Sequence, residues 1–480
     1  MQTVGATDTE LTSPGDGSLE SPGVAVIGTG YLGATHAICM AALGFRVIGV
    51  DVDQAKVTAL AGGRLPFFEP GLAELLTVAM ETGRLSFTTD FKAAAAHADV
   101  HFICVGTPQS ADSPAADLSH LEEAIRCLAP HLVHRCLIVG KSTVPIGTAQ
   151  RLTALVQSAA PAGSLVELAW NPEFLREGHA VEDTLNPDRL VFGVASEWAR
   201  ERLAACYAPI ISHSTHVIVT DLPTAELVKV AANSFLATKI SYINAMAEVC
   251  EATGADVNLL ALALSYDSRI GGRFLKPGLG FGGGCLPKDI RAFAHRAQEL
   301  GVGQAVGFLR EVDAINQRRR QRTVDLITEM ACGDLTGVPV TVLGAAFKPD
   351  SDDIRDAPAL DVAHMLHQAG AHVTVYDPQA MGNAKVAYPD LGYADTLEAA
   401  VTGAEVVALL TEWDVFRTAD PVALGELVAR RNIVDGRHAL NAAAYRAAHW
   451  DYRALGTPTA VVRDLPPVLA ADGIKVLATP

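Results

Sequence analysis

The stretch that most restricts the fold is Gly23-Val24-Ala25-Val26-Ile27-Gly28-Thr29-Gly30-Tyr31-Leu32-Gly33, followed by an alanine-rich run to Gly44 and a second apolar run, Phe45–Val50, closed by Asp51. A short apolar run before Gly-x-Gly-x-x-Gly reads as a buried strand feeding a helix. Gly28 permits the tight turn, Gly30 lets a ligand approach the backbone, and Gly33 lets the helix pack against the sheet. The free N–H groups and positive dipole at the helix start suit a pyrophosphate. Asp51, 23 residues past Gly28, can accept hydrogen bonds from both ribose hydroxyls and repel a 2′-phosphate. The unit predicts a Rossmann-type site for NAD, with Tyr31 and Leu32 in its turn. Arg46 and Lys56 nearby leave NADP as the alternative.

Strand and helix keep alternating beyond this unit. Further strands are expected at His101–Val105, Leu137–Lys141, Leu165–Trp170 and Leu190–Val194, which makes a parallel α/β sheet. From about Pro223 to Arg320 the pattern is helical, including the long run Thr224–Thr253. Strands return at Val338–Leu343, His372–Tyr376, Val406–Leu410 and Asn432–Val434. The expected organisation is a disordered tail (1–22), an NAD domain (23–220), a central helical segment (221–325) and a second α/β domain (326–480). The 480 residues suit several domains, and 37 Lys and Arg against 54 Asp and Glu give a net charge of −17. Such a balance argues against nucleic acid or an anionic membrane as partner, and an anionic substrate would need a local cluster of cations. No apolar run approaches the ~18–20 residues of a membrane span. The eight scattered cysteines, without a CxxC, predict reduced thiols in a cytoplasmic protein. His131, His134 and Cys136 carry ligand atom types but no fourth ligand nearby, so no metal is expected.

One cysteine stands apart. Gly278-Leu279-Gly280-Phe281-Gly282-Gly283-Gly284-Cys285-Leu286-Pro287-Lys288-Asp289 packs five glycines into seven residues, a cost a fold bears where backbone approaches a ligand or takes positive φ. Pro287 reads as the first turn of a helix, which puts Cys285 at its N-terminus with Lys288 one turn away. Both features are expected to lower the thiol pKa and supply a nucleophile. Upstream, Glu226, Lys229 and Asn233 share one helix face, and a Lys with an amide one turn on can hold an oxyanion. Glu173 and Glu177 in Asn171-Pro172-Glu173-Phe174-Leu175-Arg176-Glu177-Gly178, and Thr143 in Lys141-Ser142-Thr143-Val144-Pro145, follow strands and so lie at the sheet's carboxyl edge, where α/β ligands bind.

These motifs, together with Gly344-Ala345-Ala346-Phe347-Lys348-Pro349-Asp350-Ser351-Asp352-Asp353-Ile354-Arg355-Asp356 and Asp435-Gly436-Arg437, resemble in order those of the UDP-glucose/GDP-mannose dehydrogenase family, over about Gly23 to Asn441. The resemblance implies an NAD domain, a long helical segment forming a homodimer or higher homo-oligomer, and a C-terminal Rossmann-like nucleotide-sugar domain. It implies oxidation of UDP-glucose to UDP-glucuronate with two NAD reduced, through a Cys285 thiohemiacetal and thioester. Lys229 and Asn233 are then expected to hold the oxyanions, Asp289 to act as base with a water, and Glu173 and Thr143 to serve hydrolysis or proton transfer. On the cofactor side Lys56, Thr107, Thr143, Glu177, Lys288 and Arg355 join the glycine turn and Asp51. Glu173, Phe174, Leu175, Lys229, Asn233, Tyr242, Phe274, Lys276, Gly282, Phe347, Lys348 and Arg437 are implied to bind the substrate. Arg269 is implied to reach a neighbouring subunit's site. Phe235 and Phe274 stand where some relatives carry tyrosine, and Gly284 where serine is frequent. Gln109–Ala116 reads as a lid-like loop beside the cofactor. The alternatives are the same chemistry on another nucleotide sugar such as GDP-mannose, a one-step dehydrogenase, and an inactive NAD- and nucleotide-sugar-binding scaffold.

Overall fold

The computed structural model describes residues 22–458, so the expected tail 1–22 lies almost wholly outside the described residues. Eight strands form the first sheet: β1 (Val24–Ile27), β2 (Val47–Val50), β3 (Leu85–Thr88), β4 (Val100–Ile103), β5 (Cys136–Gly140), β6 (Val166–Trp170), β7 (Arg189–Gly193) and β8 (His216–Thr220). Their order is β3-β2-β1-β4-β5-β6-β7-β8, so the chain reverses its direction of travel between β1 and β4. All pairings are parallel except one antiparallel bridge, Trp170 to Gly193, which corrects the all-parallel expectation. β3 and β8 carry no sequence forecast. β8 is an edge strand with half-exposed Ile218 and Val219, so it lacks the continuous apolar run that marks a buried strand.

The second sheet contains β9 (Pro339–Leu343), β10 (His372–Tyr376), β11 (Gly392–Tyr393), β12 (Val406–Leu409), β13 (Asn432–Asp435) and β14 (Asp451–Ala454). Its order, β11-β10-β9-β12-β13-β14, repeats that of the first six strands of the other sheet. Both are doubly wound sheets with a switch point, at β1/β4 and at β9/β12, and ligands of such sheets bind outside the carboxyl ends there. The first sheet has an apolar core on each face, one built around Ile38, Leu76 and Phe102 and the other around Ile27, Ile138 and Trp170. The second sheet has its own, around Val342, Leu360 and Leu409.

Between the sheets runs the helix Leu222–Thr253, 32 residues long, capped by the Asp221 carboxylate on the Thr224 N–H and ended by Gly254 in the left-handed conformation. The helices Leu286–Glu299 and Phe308–Met330 pack on it. The second of these runs through position 325, so the expected boundary there falls inside one helix, which also packs on the second sheet's helix Pro358–Gln368. Among the described residues no helix is long and apolar enough to cross a membrane.

Candidate active site

The glycine turn leaves β1 as the spacing predicts. Gly28 has φ +88°, its N–H donates to Val50 O (2.7 Å), and a Cβ on Gly33 would lie 1.7 Å from Gly28 O. Beside Gly30 there is open space, so the start of helix Tyr31–Ala42 is bare toward an incoming phosphate. Asp51 ends β2 nearly buried, and its Oδ2 accepts from Thr29 N (2.8 Å), Thr29 Oγ1 (3.0 Å) and Lys56 Nζ (2.9 Å). Burial works to raise the carboxyl pKa, but Lys56 and the N–H donors outweigh it and hold it below the usual value. These residues fit a dinucleotide: a phosphate-sized gap at a helix start, and an ionised acid at the end of the next strand.

Tyr31 does more than occupy the turn. Its hydroxyl bonds to Glu69, a buried carboxylate that also accepts from Gly178 N (2.7 Å) and Ala180 N (2.7 Å). Sequence reasoning missed Glu69; its one signal is a lone acid between Phe68 and Pro70 in a loop without periodicity. It ties that loop to the turn after Glu177. Thr107 and Thr143 meet at the carboxyl edge, where Thr107 Oγ1 donates to Thr143 O (2.8 Å). Gln109–Ala116 is a small hairpin closed by a bridge between its end residues. Its end residues, with Thr143, Lys288, Asp289 and Arg296, line a shallow open pocket.

Cys285 is the N-cap residue of helix Leu286–Glu299, with Pro287 in the first turn, as expected. Its environment differs from the expectation. The side chain is solvent-accessible, yet it sits at the floor of a cleft whose walls surround it, and its pKa is pushed up to about 11 rather than down. Burial is the main cause and the Asp289 carboxylate the next; Lys229 and Lys288 oppose them without prevailing. The helix end and Lys288 act to lower the pKa, but burial and the acid one turn on prevail. Lys288 is itself committed, with its Nζ 2.5 Å from Asp289 Oδ1.

Around the thiol stand two buried pairs. Lys229 Nζ donates to Glu173 Oε1 (2.9 Å), while Glu173 Oε2 accepts from Leu175 N (2.7 Å). Asn233 Nδ2 donates to Asp289 Oδ2 (2.7 Å). Burial disfavours the Lys229 ammonium, but Glu173, Cys285 and Asp289 together raise its pKa above the ordinary value, so it stays charged. Phe174 presents its ring inward, under Arg189 (3.9 Å) and Lys229 (5.5 Å). Glu226, on the same helix face, turns to the first sheet, where it accepts from Gly147 N (2.7 Å) and Ala149 N (2.6 Å) at the head of helix Thr148–Ala159. Beneath the edge Lys141 is buried on Asn171 Oδ1 (3.0 Å) and Tyr207 Oη (3.2 Å), which fixes the loops after β5 and β6 side by side.

The second sheet closes the cleft from above. Arg355 pairs with Asp353 (2.6 Å) and Glu177 (3.2 Å), and its guanidinium carbon lies 2.2 Å from where a Cβ on Gly284 would be. A serine at 284 would therefore displace Arg355. Glu177 also accepts from Ser351 Oγ (3.3 Å), and its pKa is raised to about 7, chiefly by burial and then by Asp353. Phe347 fills the space above Gly283, and the Lys348 Nζ stands 5.4 Å from that ring. Gly282 packs under Asp356 O. Arg437 donates to Leu410 O (2.7 Å), Gly280 O (2.8 Å) and Phe347 O (3.3 Å), so in this conformation it braces the cleft wall.

Of the other implied residues, Tyr242 lies on the side of its helix opposite Asn233, and Arg269, Phe274 and Lys276 are exposed. At about 100° per residue Tyr242 falls about 180° from Asn233 around the helix. Ala231, Phe235 and Val249 lie within about 20° of Tyr242, and all four are exposed. Arg269 is exposed and paired with Asp267 (2.6 Å). Phe274, at φ +64°, and Lys276 are also exposed, on the glycine loop's outer approach.

Family models for the UDP-glucose/GDP-mannose dehydrogenase family match the chain as an NAD binding domain (23–211), a central domain (223–318) and a UDP binding domain (341–442). The UDP-glucose 6-dehydrogenase TuaD of Bacillus subtilis is 40% identical over 437 residues, 91% of this chain and 93% of that protein. The UDP-glucose 6-dehydrogenase of Rhizobium meliloti is 38% identical over 437 residues, 91% of this chain and 99% of its own. A solved UDP-glucose dehydrogenase from the archaeon Pyrobaculum islandicum superposes with a TM-score of 0.84 at 36% identity, covering 93% of this chain and all of that one. The chain belongs to the UDP-glucose/GDP-mannose dehydrogenase family, and is an NAD-dependent oxidoreductase.

Proposed function

We propose that the chain oxidises UDP-glucose to UDP-glucuronate in two two-electron steps, with Cys285 as the nucleophile. The observation that carries this reading is the convergence of Lys229–Glu173 and Asn233–Asp289 on the thiol at the head of helix Leu286–Glu299. The glycine turn, Asp51 and Lys56 would hold NAD, which would supply the hydride acceptor for each oxidation at the sugar C6. The first turns the C6 alcohol into an aldehyde, the hydroxyl proton passing to solvent through Asp289 and a water. Because the Cys285 pKa stands near 11, the thiol is protonated at rest, and its proton passes to Asp289, one turn on, as sulfur attacks the carbonyl carbon. The C–S bond forms, and the carbonyl oxygen becomes an oxyanion held by the Lys229 ammonium and the Asn233 amide. The second oxidation leaves a thioester. Water activated by Glu173, with Thr143 at the same edge, then breaks the C–S bond and returns the thiol. The nearby Lys348 suits a diphosphate, supplying the local cation that a chain of net charge −17 needs.

The row Ala231, Phe235, Tyr242 and Val249 on the far side of the helix supports a homodimer formed through that face, with Leu259 and Leu262 beside it. In such a dimer Arg269 and Tyr242 would serve the partner's side of the assembly. The cytoplasm, which keeps thiols reduced, suits its cysteines, all free among the described residues.

The test is NADH formed per UDP-glucose consumed with NAD in excess. We expect two from the wild-type chain, and from Cys285→Ala no UDP-glucuronate and at most one NADH per sugar, with NAD affinity retained. One NADH per sugar from the wild-type chain would indicate a simple alcohol dehydrogenase. None would direct the search to GDP-mannose and other nucleotide sugars.

A further inference from the structure

Asp356 has no part in the chemistry above, yet it sits at the junction of all three regions in a conformation that residues with a Cβ rarely take. Its φ is +45°. Such strain persists at functional sites only when the surroundings impose it. The surroundings here are two arginines from the central helices. Arg320, nearly buried on Phe308–Met330, donates to Asp356 Oδ1 (2.7 Å), pairs with Asp361, and reaches Phe281 O (3.5 Å). Arg291, on the helix that Cys285 begins, stands 3.5 Å from Asp356 Oδ2 and holds Asp313 at 2.9 Å.

What the backbone does at Asp356 reaches the thiol by two short routes. The Arg355 carbonyl accepts from Gly283 N (2.9 Å), and the Asp356 carbonyl fills the space a side chain on Gly282 would need, 2.2 Å from its Cβ position. The turn also carries Arg355, whose guanidinium pairs with Asp353 and Glu177 and covers Gly284, the residue before Cys285. We propose that Asp356 is a positioning residue for the nucleophile: pinned by Arg320 and Arg291, its left-handed backbone sets the Gly282–Gly284 turn and aims Arg355 at Cys285. The inference rests on Cys285 being the nucleophile for its effect on turnover, though not for its effect on the thiol.

The test compares Asp356→Asn and Asp356→Ala in the full chain. Asparagine tolerates the left-handed region and removes only the charge, so it keeps the test readable should alanine fail to fold. The probe is iodoacetamide, with alkylation of the Cys285 peptide followed by mass spectrometry across pH and Cys285→Ala as the blank. With the turn unpinned from Arg320 and Arg291, and Arg355 shifted from its place over Gly284, the alkylation midpoint should rise by about half a pH unit or more in Asp356→Asn. Its kcat should fall by at least about tenfold while the KM for UDP-glucose changes less than about threefold. A folded Asp356→Asn with an unchanged midpoint and kcat within about twofold would overturn the proposal. Wild-type protein that keeps forming UDP-glucuronate after full alkylation of Cys285 would instead overturn the nucleophile assignment, and the shift in midpoint would still decide the role of Asp356.

Discussion

Asp289→Asn offers a sharp test of how the nucleophile is held. Residues one helical turn apart stand about 6 Å from each other, and a unit charge at that distance in an effective dielectric near 20 acts with about 2.8 kcal/mol. That is about 2 pH units on a neighbouring thiol, an upper figure here because water reaches the sulfur. Removing the carboxylate should therefore bring Cys285 down from about 11 toward an ordinary thiol value. The loss also frees Lys288, now 2.5 Å from Asp289 Oδ1, which pulls in the same direction. At pH 8 a 2-unit drop enlarges the thiolate population about a hundredfold, while the less basic sulfur is intrinsically about eightfold less reactive. The net expectation is alkylation by iodoacetamide up to about tenfold faster at pH 8, with the midpoint of the rate–pH curve moved to lower pH. UDP-glucose oxidation should fall in the same variant, because the acceptor of the thiol proton is gone. An alkylation midpoint that stays put or moves upward would refute the electrostatic account of Asp289.

Asn233→Ala should lower kcat by about 10²–10³ if its amide holds the oxyanions, measured as steady-state NADH production; a loss below about threefold would remove Asn233 from the mechanism. Glu177 predicts a pH-dependent stability. Its carboxyl ionises near 4.5 in the unfolded chain and near 7 in the fold, so the folded state holds the extra proton between those values and stability falls as pH rises through that window. Glu177→Gln should flatten that part of the thermal-unfolding profile from pH 4.5 to 8, and an unaltered slope would mean that Glu177 is not protonated in the fold.

The chemistry-bearing residues were legible because glycine and proline mark the backbone around them. Gly28, Gly33 and Pro287 forecast the cradle and the helix beneath Cys285, and the structure has both. The thiol's pKa was not legible in the same way. Its sign depends on whether Lys288 or Asp289 lies effectively nearer the sulfur and on how far the second sheet shuts out water, and both are tertiary facts. Glu69, Arg320 and Asp356 were missed for a related reason. Each works by a contact far along the chain, and nothing in its own neighbourhood separates a buried tie from an exposed charge. Tyr242 is the converse case. It shares a helix with Asn233, but the helical period puts it on the opposite side, a separation that the motif resemblance implying it does not register. β8 and the two-residue β11 escaped because edge strands need little apolar content.

The helix Leu222–Thr253 can be treated as a single stiff beam carrying reacting groups along one side and an apolar strip along the other. A beam moves as a whole: a push of half an ångström on Phe235 or Val249 displaces Lys229 and Asn233 by a similar amount, on the order of the tolerance that reacting groups require. Whatever rests on the strip thus sets the mechanical zero of the catalytic side. If the proposed homodimer covers it, diluting the protein until the strip is bare should act as a rate control, with specific activity falling with concentration before the fold is lost.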